Sequence, residues 1–492
     1  MSKILYISSE AFPLIKTGGL ADVAGSLPTA LSKLGQETRL LLPAYTQVMQ
    51  QVQDAKPLAS GDYYGLEVSL LETCLPNSGV PVWLVNCPAA FNRPDGGPYL
   101  DSTGQPWDDN ALRFALFCRV AVDIALDKLK LGWQPDIVHC NDWQSGLVPA
   151  LLQPFKQRPA TVFTIHNLAY QGLFNHQTFL DLELPADLWH PERLEFYDQL
   201  SFIKGGLVYA DRINAVSPTY ASEILQPEFG NGVDGLLQHR QERLSGILNG
   251  IDQTIWNPAT DPHLTANYDS TTLKQKRKNK TALQKQLGLP VDARIPLVGM
   301  ISRMVEQKGF DIILEAMGEI VNLPVQLVIL GSGDSHYEIQ LMEWASRHPD
   351  KLKVVVGYDE SLSHLIEAGS DMFLMPSTFE PCGLNQLYSL RYGTLPIVRK
   401  VGGLADTVVD ANEVNRKNKT ANGFIVTEQS ASALLTTLHN ALKRYQEKSA
   451  WHQLQLTAMQ SDFSWRRSAE HYLALYQQAI ADRNLAVGYL AA

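Results

Sequence analysis

Long apolar runs are scarce in this sequence of 492 residues, and none approaches the ~20 residues that cross a bilayer. The first residues, MSKILYISSE, also lack the longer apolar stretch and the small-residue cleavage site of a signal peptide. We therefore expect a protein without a membrane partner that resides in the cytoplasm.

Cysteine is also rare, and positively charged residues are fewer than negatively charged ones. The five cysteines are widely spaced and contain no C-x-x-C pair, which argues against a disulfide framework or a structural zinc site. Lys and Arg number 41 against 51 Asp and Glu, so the net charge is -10. This balance disfavours nucleic acid as a partner, whereas a local basic pocket suffices for a small anionic ligand.

The length exceeds the roughly 250 to 300 residues at which single cores stop growing, so two large domains are predicted. Short apolar runs that end in turn or polar residues alternate with helix-length amphipathic stretches in both halves of the chain. This alternation predicts β-α-β units and a parallel sheet in each half. The runs are KILYISSE, ETRLLLP, VPVWLVNCP, PDIVHCNDW, ATVFTIHN and RINAVSP, then PLVGMISR, VQLVILGSG, LKVVVGY, DMFLMPS and LPIVRKVGG.

Three irregular stretches separate or interrupt these units. Glycine and proline cluster at 249–258, where we place the hinge between the domains. The basic run 274–280 is expected to be a solvated helix face rather than a polyanion site. The stretch PAAFNRPDGGPYLDSTGQPWDDN is too long for an ordinary connection and is either a functional flap or a surface loop.

One phrase occurs twice, as KTGGLAD at 16–22 and as KVGGLAD at 400–406. Each copy follows a predicted strand, so each is predicted to be a glycine-rich turn into a helix at the carboxyl end of a sheet. Ligands bind at that end of open parallel sheets, and glycines there let backbone N–H groups approach phosphate. We expect the second copy to be structural, and the first to bind substrate.

The first copy closely resembles the signature of bacterial glycogen synthases and plant starch synthases. The resemblance continues in the family's order through HCNDWQSG, TIHNLAYQG, LNGID, ISRMVEQKG, FEPCGLNQLYSLRYG and GGLADTV, and it covers almost the whole chain. It implies a GT-B glycosyltransferase with two Rossmann-like domains facing each other across a deep cleft. The implied reaction is retaining transfer of glucose from ADP-glucose to the nonreducing end of an α-1,4-glucan.

The resemblance also implies domain boundaries. Residues 1–248 would form the acceptor-side domain and 249–465 the nucleotide-sugar domain, and 466–492 would form a helix that returns to the first domain. Neither a cofactor nor an oligomeric state is specified. No D-x-D triplet, the usual metal-binding signature of glycosyltransferases, occurs in the chain, so cationic side chains are expected to neutralise the leaving diphosphate.

The implied catalytic residues lie at the ends of predicted strands. Arg303 and Lys308 would contact the diphosphate, and Glu380 would bind the hydroxyls of the sugar. His166 would bind the transferred sugar, and Asp142 would either orient the acceptor or stabilise the developing positive charge. A second glutamate, found eight positions after the first in many GT-B enzymes, is replaced here by Tyr388.

Further residues are expected to bind substrate. The implied donor-site residues are Lys16, Gly18, Gly19, Asn249, Tyr358, Cys382, Gly383 and Leu384, with the last two donating main-chain N–H groups from a predicted helix start. Tyr358 would stack on adenine or simply pack at a strand end. The acceptor candidates are Asp22, Tyr170 and Gln171, with Phe174 as either a contributor or a core residue.

Three alternatives to this function stay open from sequence alone. The first is a transferase that uses UDP-glucose, because the nucleotide pocket cannot be read from one chain. The second is a phosphorylase, which would need pyridoxal phosphate on a lysine. The third is a noncatalytic glucan-binding subunit, which would have no use for the diphosphate pair Arg303 and Lys308.

Overall fold

The computed structural model describes residues 1–52, 54–76 and 78–489 and divides the chain into two compact units. The first unit comprises Met1–Gly250 together with the segment from Trp465 onward, and the second unit comprises Ile251–Ser464. Each unit contains its own large β-sheet with helices packed against it. The predicted α/β class with two doubly wound domains is confirmed.

The first unit alternates strands and helices over its first 250 residues. Its strands are β1 (Lys3–Ile7), β2 (Glu37–Pro43), β3 (Lys56–Tyr63), β4 (Leu66–Cys74), β5 (Pro81–Asn86), β6 (Ile137–Asn141), β7 (Ala160–Ile165), β8 (Leu173–Phe174), β9 (Glu195–Phe196), β10 (Gln199–Ser201), β11 (Arg212–Ala215) and β12 (Leu244–Gly246). Its helices are α1 (Gly19–Lys33), α2 (Thr46–Gln51), α3 (Pro88–Phe91), α4 (Asn110–Ala125), α5 (Leu147–Leu152), α6 (His176–Asp181), α7 (Phe202–Tyr209), α8 (Pro218–Glu223) and α9 (Asp234–His239).

The strand order of the first large sheet is β12-β11-β7-β6-β1-β2-β5-β4-β3. From β1 the chain proceeds to β2 on one side, and from β6 it proceeds to β7 on the other, so the order reverses between β1 and β6. Ile7 pairs with Cys140, and Asn141 pairs with Thr164. The loops that follow β1, β6 and β7 therefore emerge side by side at the reversal point, where open α/β sheets bind ligands.

One edge of this sheet differs from the purely parallel prediction. Strand β4 runs antiparallel to both β3 and β5. The two residues Tyr64 and Gly65, both with positive φ, close the β3–β4 hairpin. Antiparallel strands can be joined by two residues, whereas a parallel pair needs a long crossover. A smaller sheet with the order β8-β10-β9 lies apart from the large one.

The second unit repeats the doubly wound scheme with all strands parallel. Its strands are β13 (Leu297–Ile301), β14 (Gln326–Gly331), β15 (Leu352–Val356), β16 (Met372–Met375), β17 (Leu395–Arg399) and β18 (Phe424–Val426). Its helices are α10 (Lys276–Gln286), α11 (Phe310–Ile320), α12 (Ser335–Arg347), α13 (Glu360–Gly369), α14 (Asn385–Arg391), α15 (Gly402–Thr407), α16 (Glu413–Lys417), α17 (Ala431–Gln446) and α18 (Lys448–Gln460).

The order in the second sheet is β15-β14-β13-β16-β17-β18, so the reversal falls between β13 and β16. The loops after β13, β16 and β17 hence lie next to one another at the carboxyl edge. Apolar side chains of the strands and of the helices around them form two buried clusters, represented by Phe310 and Leu438 in one and by Ile366 and Leu404 in the other. This framework fixes where the three loops begin.

The prediction of a solvated helix face for the basic run 274–280 is wrong for two of its lysines, whereas Lys274, Arg277 and Lys278 are exposed. Lys276 and Lys280 are buried one helical turn apart. Lys276 Nζ donates to the carbonyl of Ala368 at 2.7 Å and to Thr394 Oγ1 at 2.6 Å, and Lys280 Nζ donates to Asp371 Oδ2 at 2.7 Å. Burial lowers the pKa of Lys276 to about 7. These lysines hold α10 to the body of the second unit.

The last helix, α19 (Trp465–Tyr489), lies in the first unit. Tyr476 Oη lies 2.8 Å from Nδ1 of the buried His139, and Tyr472 Oη accepts a hydrogen bond from Asn214 Nδ2 at 3.0 Å. In the part of the chain that the structure describes, no helix combines the length and the hydropathy needed to cross a bilayer.

Candidate active site

The loop after β1 is organised by the carboxylate of Glu10, which is 3% exposed. Glu10 accepts hydrogen bonds from Thr17 N and Thr17 Oγ1, both at 2.5 Å, and from Gly18 N at 3.2 Å. Tyr99, from the long irregular stretch, donates to Glu10 at 2.6 Å. These contacts hold the KTGG turn in place at the carboxyl edge of the first sheet.

Lys16, Gly18, Gly19 and Asp22 all belong to this turn and the helix that it opens. Gly18 is the N-cap of α1, and Gly19 is its first residue. Lys16 Nζ lies 2.9 Å from Asp22 Oδ1 and 5.5 Å from the centre of the Phe12 ring. The structure therefore brings together the lysine, the glycines and the aspartate of the predicted donor and acceptor sets.

Asp142 and His166 meet at the ends of β6 and β7. Asp142 Oδ1 accepts from the backbone N–H of His166 at 2.7 Å, and His166 Nε2 lies 2.9 Å from Asn141 Oδ1. Asn141 Nδ2 donates to the carbonyl of Ile7 at 2.9 Å, so its oxygen faces the histidine. His166 therefore carries its proton on Nε2, and Nδ1 is an acceptor.

The electrostatics of this pair follow from burial. Burial lowers the pKa of His166 to about 3, which keeps the imidazole neutral at physiological pH. Burial raises the pKa of Asp142 to about 7, and the nearby charge of Glu10 also raises this pKa. Hydrogen bonds from the N–H groups of His166 and Asn167 act in the other direction and lower the pKa. Asp142 also has φ 54°, an uncommon value for a residue other than glycine. A carboxyl group that is costly to ionise and held by a strained backbone is characteristic of functional sites.

The predicted acceptor residues follow the His166 loop. Tyr170 is 52% exposed, whereas Gln171 is buried and donates from Nε2 to the carbonyl of Asn231 at 2.9 Å. Phe174 packs against Phe202 with ring centres 5.0 Å apart, so it is a packing residue. Asn249 is buried in the first unit, and its Oδ1 is without a hydrogen-bond partner among the described residues.

The second unit carries the predicted catalytic lysine and glutamate as a direct pair. Lys308 Nζ donates to Glu380 Oε2 at 2.6 Å, and Ser377 Oγ donates to the same oxygen at 3.0 Å. Glu380 is 7% exposed. Lys308 ends a short 3-10 helix (Glu306–Lys308) after β13, and Arg303 lies exposed in the same loop. The pair thus joins the loops after β13 and β16 at the point where the strand order reverses.

The helix after Glu380 starts later than predicted. Residues 380–384 form a turn, and α14 begins at Asn385 with Leu384 as its N-cap. Gly383 has φ +73°, and a Cβ atom there would lie 2.4 Å from Gln386 Oε1, so this position requires glycine. The first N–H groups of α14 point out of the helix start, since the first turn of any α-helix leaves its donors without intrahelical acceptors. Cys382 is buried in the same turn.

Tyr388 and Tyr358 complete the description of the predicted site in this unit. The Tyr388 ring stacks on Trp256 with ring centres 3.8 Å apart, so α14 carries an aromatic packing residue where many GT-B enzymes have an acid. Tyr358 lies just after β15, is 74% exposed, and donates to Glu360. Its exposure favours the stacking role over packing at a strand end.

The two copies of the repeated phrase use their glycines differently. A Cβ atom on Gly18 would meet no atom within 4 Å. A Cβ atom on Gly402 would lie 1.9 Å from the carbonyl oxygen of Glu380, and one on Gly403 would lie 2.2 Å from that of Cys382. The Gly403 N–H donates to the carbonyl of Glu380 at 3.1 Å. The second copy therefore supports the backbone that presents Glu380.

This difference predicts opposite outcomes for two alanine substitutions. Gly402→Ala should destabilise the protein by about 1–3 kcal/mol or more and lower activity. The reason is that the added Cβ overlaps the backbone at a position with φ +41°. Gly18→Ala, with extended backbone and open space, should leave the melting temperature nearly unchanged. Thermal unfolding of both variants measures the contrast, and equal melting temperatures would show that Gly402 does not support the Glu380 turn.

Several residues that shape these clusters were missed by sequence reasoning. They are Glu10, Tyr99, Asn141 and Ser377. Tyr99 and Asn141 have partners far away in the sequence, with separations of 89 residues between Tyr99 and Glu10 and of 25 between His166 and Asn141. Ser377 lies only three residues before its partner Glu380, in the loop after β16. The only sequence signal was polarity at a strand end, which Glu10 shows after the run KILYIS.

Among the residues that the structure describes, no group of three or more His, Cys, Asp or Glu side chains is placed to hold a metal ion. The positively charged Arg303 and Lys308 lie in the loop after β13, at the carboxyl edge of the second sheet.

Two doubly wound units, with charged residues at the reversal points of their sheets, define the GT-B class of glycosyltransferases. Two family models match the chain: starch synthase catalytic domain over residues 3–239, and glycosyl transferases group 1 over residues 280–453. The chain belongs to the glycogen and starch synthase family of glycosyltransferases.

Individual relatives match over nearly full length. Glycogen synthase 1 of Methylococcus capsulatus is 55% identical over 482 residues, which cover 98% of this chain and 97% of the relative. Glycogen synthase of Cellvibrio japonicus is 54% identical over 478 residues, which cover 97% of this chain and 99% of the relative. A solved structure of the catalytic domain of starch synthase IV from Arabidopsis thaliana, bound to ADP and acarbose, is 34% identical with a TM-score of 0.88, covering 98% of this chain and 99% of that one.

Proposed function

We propose that this glycosyltransferase transfers glucose from ADP-glucose to the nonreducing end of an α-1,4-glucan in the cytoplasm, with retention at the anomeric carbon and release of ADP. The observation that carries the proposal is the Lys308–Glu380 pair, held at 2.6 Å where the strand order of the second sheet reverses. In a substrate that carries a diphosphate next to a sugar, such a lysine would bind the diphosphate and the adjacent carboxylate would bind the sugar hydroxyls. The ADP in the solved structure of starch synthase IV supports this choice of donor, and the names of the relatives, glycogen synthases, support a glucan acceptor.

The second unit would bind the donor. Lys308 Nζ has three N–H donors and can bridge Glu380 and a diphosphate oxygen, and Arg303 would add a second charge. N–H groups around Gly383 and Leu384, next to the buried Cys382, would donate to the other phosphate oxygens at the start of α14. Both contacts to Glu380 fall on Oε2, so we assign Oε1 to the sugar hydroxyls. Tyr358 would stack on the adenine.

The first unit would bind the acceptor end and the transferred sugar. The neutral His166 offers Nδ1 as an acceptor for a sugar hydroxyl, and the Asp142 carboxylate would stabilise positive charge at the anomeric carbon. Lys16, on the turn anchored by Glu10, would reach the donor diphosphate, and Asn249 would contact the sugar nucleotide. Tyr170 and Gln171 would line the glucan path.

The chemical step is a front-face transfer. The acceptor's 4-hydroxyl oxygen forms a bond to the anomeric carbon on the face from which the diphosphate departs, while the bond between that carbon and the phosphate oxygen breaks. The departing phosphate oxygen takes the hydroxyl proton. Lys308, Arg303 and the N–H groups before α14 stabilise the growing negative charge, which is where a cationic site lowers the barrier.

Product analysis tests the reaction class. Purified protein incubated with ADP-glucose and maltotetraose should yield longer chains, and ¹H NMR of the first products should show only new α-linked anomeric signals together with ADP. New β-linked signals would rule out retention. Formation of glucose and ADP without chain growth would rule out glucan as the acceptor.

Removal of divalent metal should have little effect. Because Lys308, Arg303 and main-chain donors supply the positive charge, EDTA is expected to change the initial rate by less than about twofold. The measurement is glucose transfer before and after EDTA, with added Mg²⁺ or Mn²⁺ as the comparison. Strong inhibition that either ion reverses would contradict the assignment of charge neutralisation to these side chains.

A further inference from the structure

Gln307 joins the two loops that carry the Lys308–Glu380 pair. It is the middle residue of the short 3-10 helix that Lys308 ends. Its backbone carbonyl accepts a hydrogen bond from the Thr378 N–H at 2.8 Å, and its side-chain Nε2 donates to the carbonyl of Phe379 at 2.9 Å. Gln307 therefore binds both residues that directly precede Glu380 in the loop after β16.

The residue after Lys308 fixes the spacing of the same two loops. Gly309 has φ +78°, and a Cβ atom there would lie 2.4 Å from the carbonyl oxygen of Pro376. Only glycine lets the two backbones come this close. Lys308 is thus flanked on both sides by residues whose backbone contacts the loop after β16, and its own side chain spans the same gap to Glu380.

The side chain of a lysine cannot hold one position unless its backbone is fixed. Its four-carbon stem is flexible, so ordering it has an entropic cost that its surroundings must offset. The Lys308 side chain is 17% exposed, so the packing around it is incomplete. A charged group stabilises a transition state only when it is already in place, and a displacement of about 1 Å can lower a rate by about a hundredfold. The position of the Lys308 backbone is therefore a condition for its proposed role.

We propose that Gln307 is a positioning residue for glucose transfer: its two hydrogen bonds hold Lys308 where Nζ contacts both Glu380 and the leaving diphosphate. The proposal rests on the proposed function for the reaction and for the role of Lys308. In this role Gln307 acts through Lys308 and contacts no substrate itself. The alternative is a bond that only stabilises the two loops, which would affect the melting temperature of a variant and leave the kcat of the folded protein unchanged.

The test removes the N–H donor of Gln307 while keeping the length of the side chain. In Gln307→Met, kcat with ADP-glucose and glycogen should fall about tenfold, because Lys308 is displaced from the diphosphate. The KM for glycogen should stay unchanged, since the acceptor does not contact Lys308 in the proposed mechanism. Gln307→Glu, which also lacks the donor, should show a loss at least as large. In the Lys308→Ala background, Gln307→Met should lower kcat by less than about twofold, since the effects of residues that act through each other do not add.

A matched control is Gln429→Met, because Gln429 also donates to the loop after β16. Its Nε2 bonds the side-chain oxygen of Thr378 at 2.8 Å, but the residue is exposed and does not belong to the loop that carries Lys308. This variant should keep the kcat of the wild type. Unchanged kcat in folded Gln307→Met, or the same tenfold loss in the Lys308→Ala background, would overturn the positioning role.

Failure of the proposed function is distinguishable from failure of this role. If the wild type transfers no glucose, acylation by a limiting amount of acetic anhydride, followed by peptide mass spectrometry, measures how firmly Lys308 is held without any catalysis. Lys308 should react faster in Gln307→Met than in the wild type, whereas the 74% exposed Lys417 should react equally in both. Equal reactivity of Lys308 in the two proteins would overturn the proposal.

Discussion

Replacing Lys308 by alanine is expected to lower kcat by about two orders of magnitude or more, the scale for losing one charged contact to a transition state. Its Nζ is the cation that contacts Glu380, at 2.6 Å, and in the proposed mechanism it neutralises the departing diphosphate. Glu380→Ala should show a loss of the same scale, because it removes the contact to the sugar and frees Lys308 from its position. Steady-state kinetics with ADP-glucose and glycogen measure both.

The control for these variants is a second lysine–glutamate pair in the same unit. Lys417 Nζ lies 2.9 Å from Glu413 Oε1 on α16, and both side chains are exposed. Lys417→Ala should keep full activity, since exposed pairs contribute little. Melting temperatures separate a catalytic loss from unfolding, because removing one partner of a buried pair also destabilises. Folded Lys308→Ala and Glu380→Ala proteins with near-normal turnover would refute the site assignment.

Asp142→Asn is expected to reduce kcat by about two orders of magnitude while keeping the fold. The amide oxygen can still accept the N–H of His166, so the substitution removes the charge while keeping that contact. Because burial raises the pKa of Asp142 to about 7, wild-type kcat should fall as the pH drops below about 7, where the carboxylate becomes protonated. The asparagine variant should show no such decline. A pH–rate profile of both proteins measures this.

The free energy of unfolding should change with pH in the opposite direction to kcat: it should fall as the pH rises. In the unfolded chain Asp142 ionises near its ordinary value of 3.8, so its stabilising contribution is complete below that pH and is lost as the pH rises through about 7. Asp142→Asn should therefore be more stable than wild type at pH 8. Asp136→Asn, at the exposed opposite end of β6, is the control and should change neither kcat nor its pH dependence. A pH profile with the same decline in Asp142→Asn would assign the ionisation to another group.

The fold was predictable where the chain follows local rules. Apolar runs alternating with amphipathic stretches indicated two doubly wound sheets, and the structure has them. The β3–β4 edge was not foreseen, because its strands are half-exposed and lack a continuous apolar run. The lysines of α10 were predicted to be solvated, since charge alone does not reveal that Lys276 and Lys280 reach carbonyls and Asp371.

The candidate site was predictable as a set of positions rather than as a network. Strand ends indicated Asp142, and the family motifs supplied Lys308 and Glu380. The contact between Lys308 and Glu380 spans 72 residues, and it depends on the adjacency of β13 and β16. Glu10 holds the KTGG turn through hydrogen bonds from Thr17 and Gly18, and these form only because the turn folds back onto the end of β1. Such contacts follow from sheet order, which local sequence patterns do not specify. The roles of these residues remain predictions.

Incorporation of labelled glucose into glycogen by the purified protein tests the central claim most directly. The comparison is ADP-glucose against UDP-glucose under identical conditions. The account predicts strong incorporation from ADP-glucose and much weaker incorporation from UDP-glucose. Preference for UDP-glucose would contradict the donor assignment, and absence of transfer from either donor would contradict the proposed function itself.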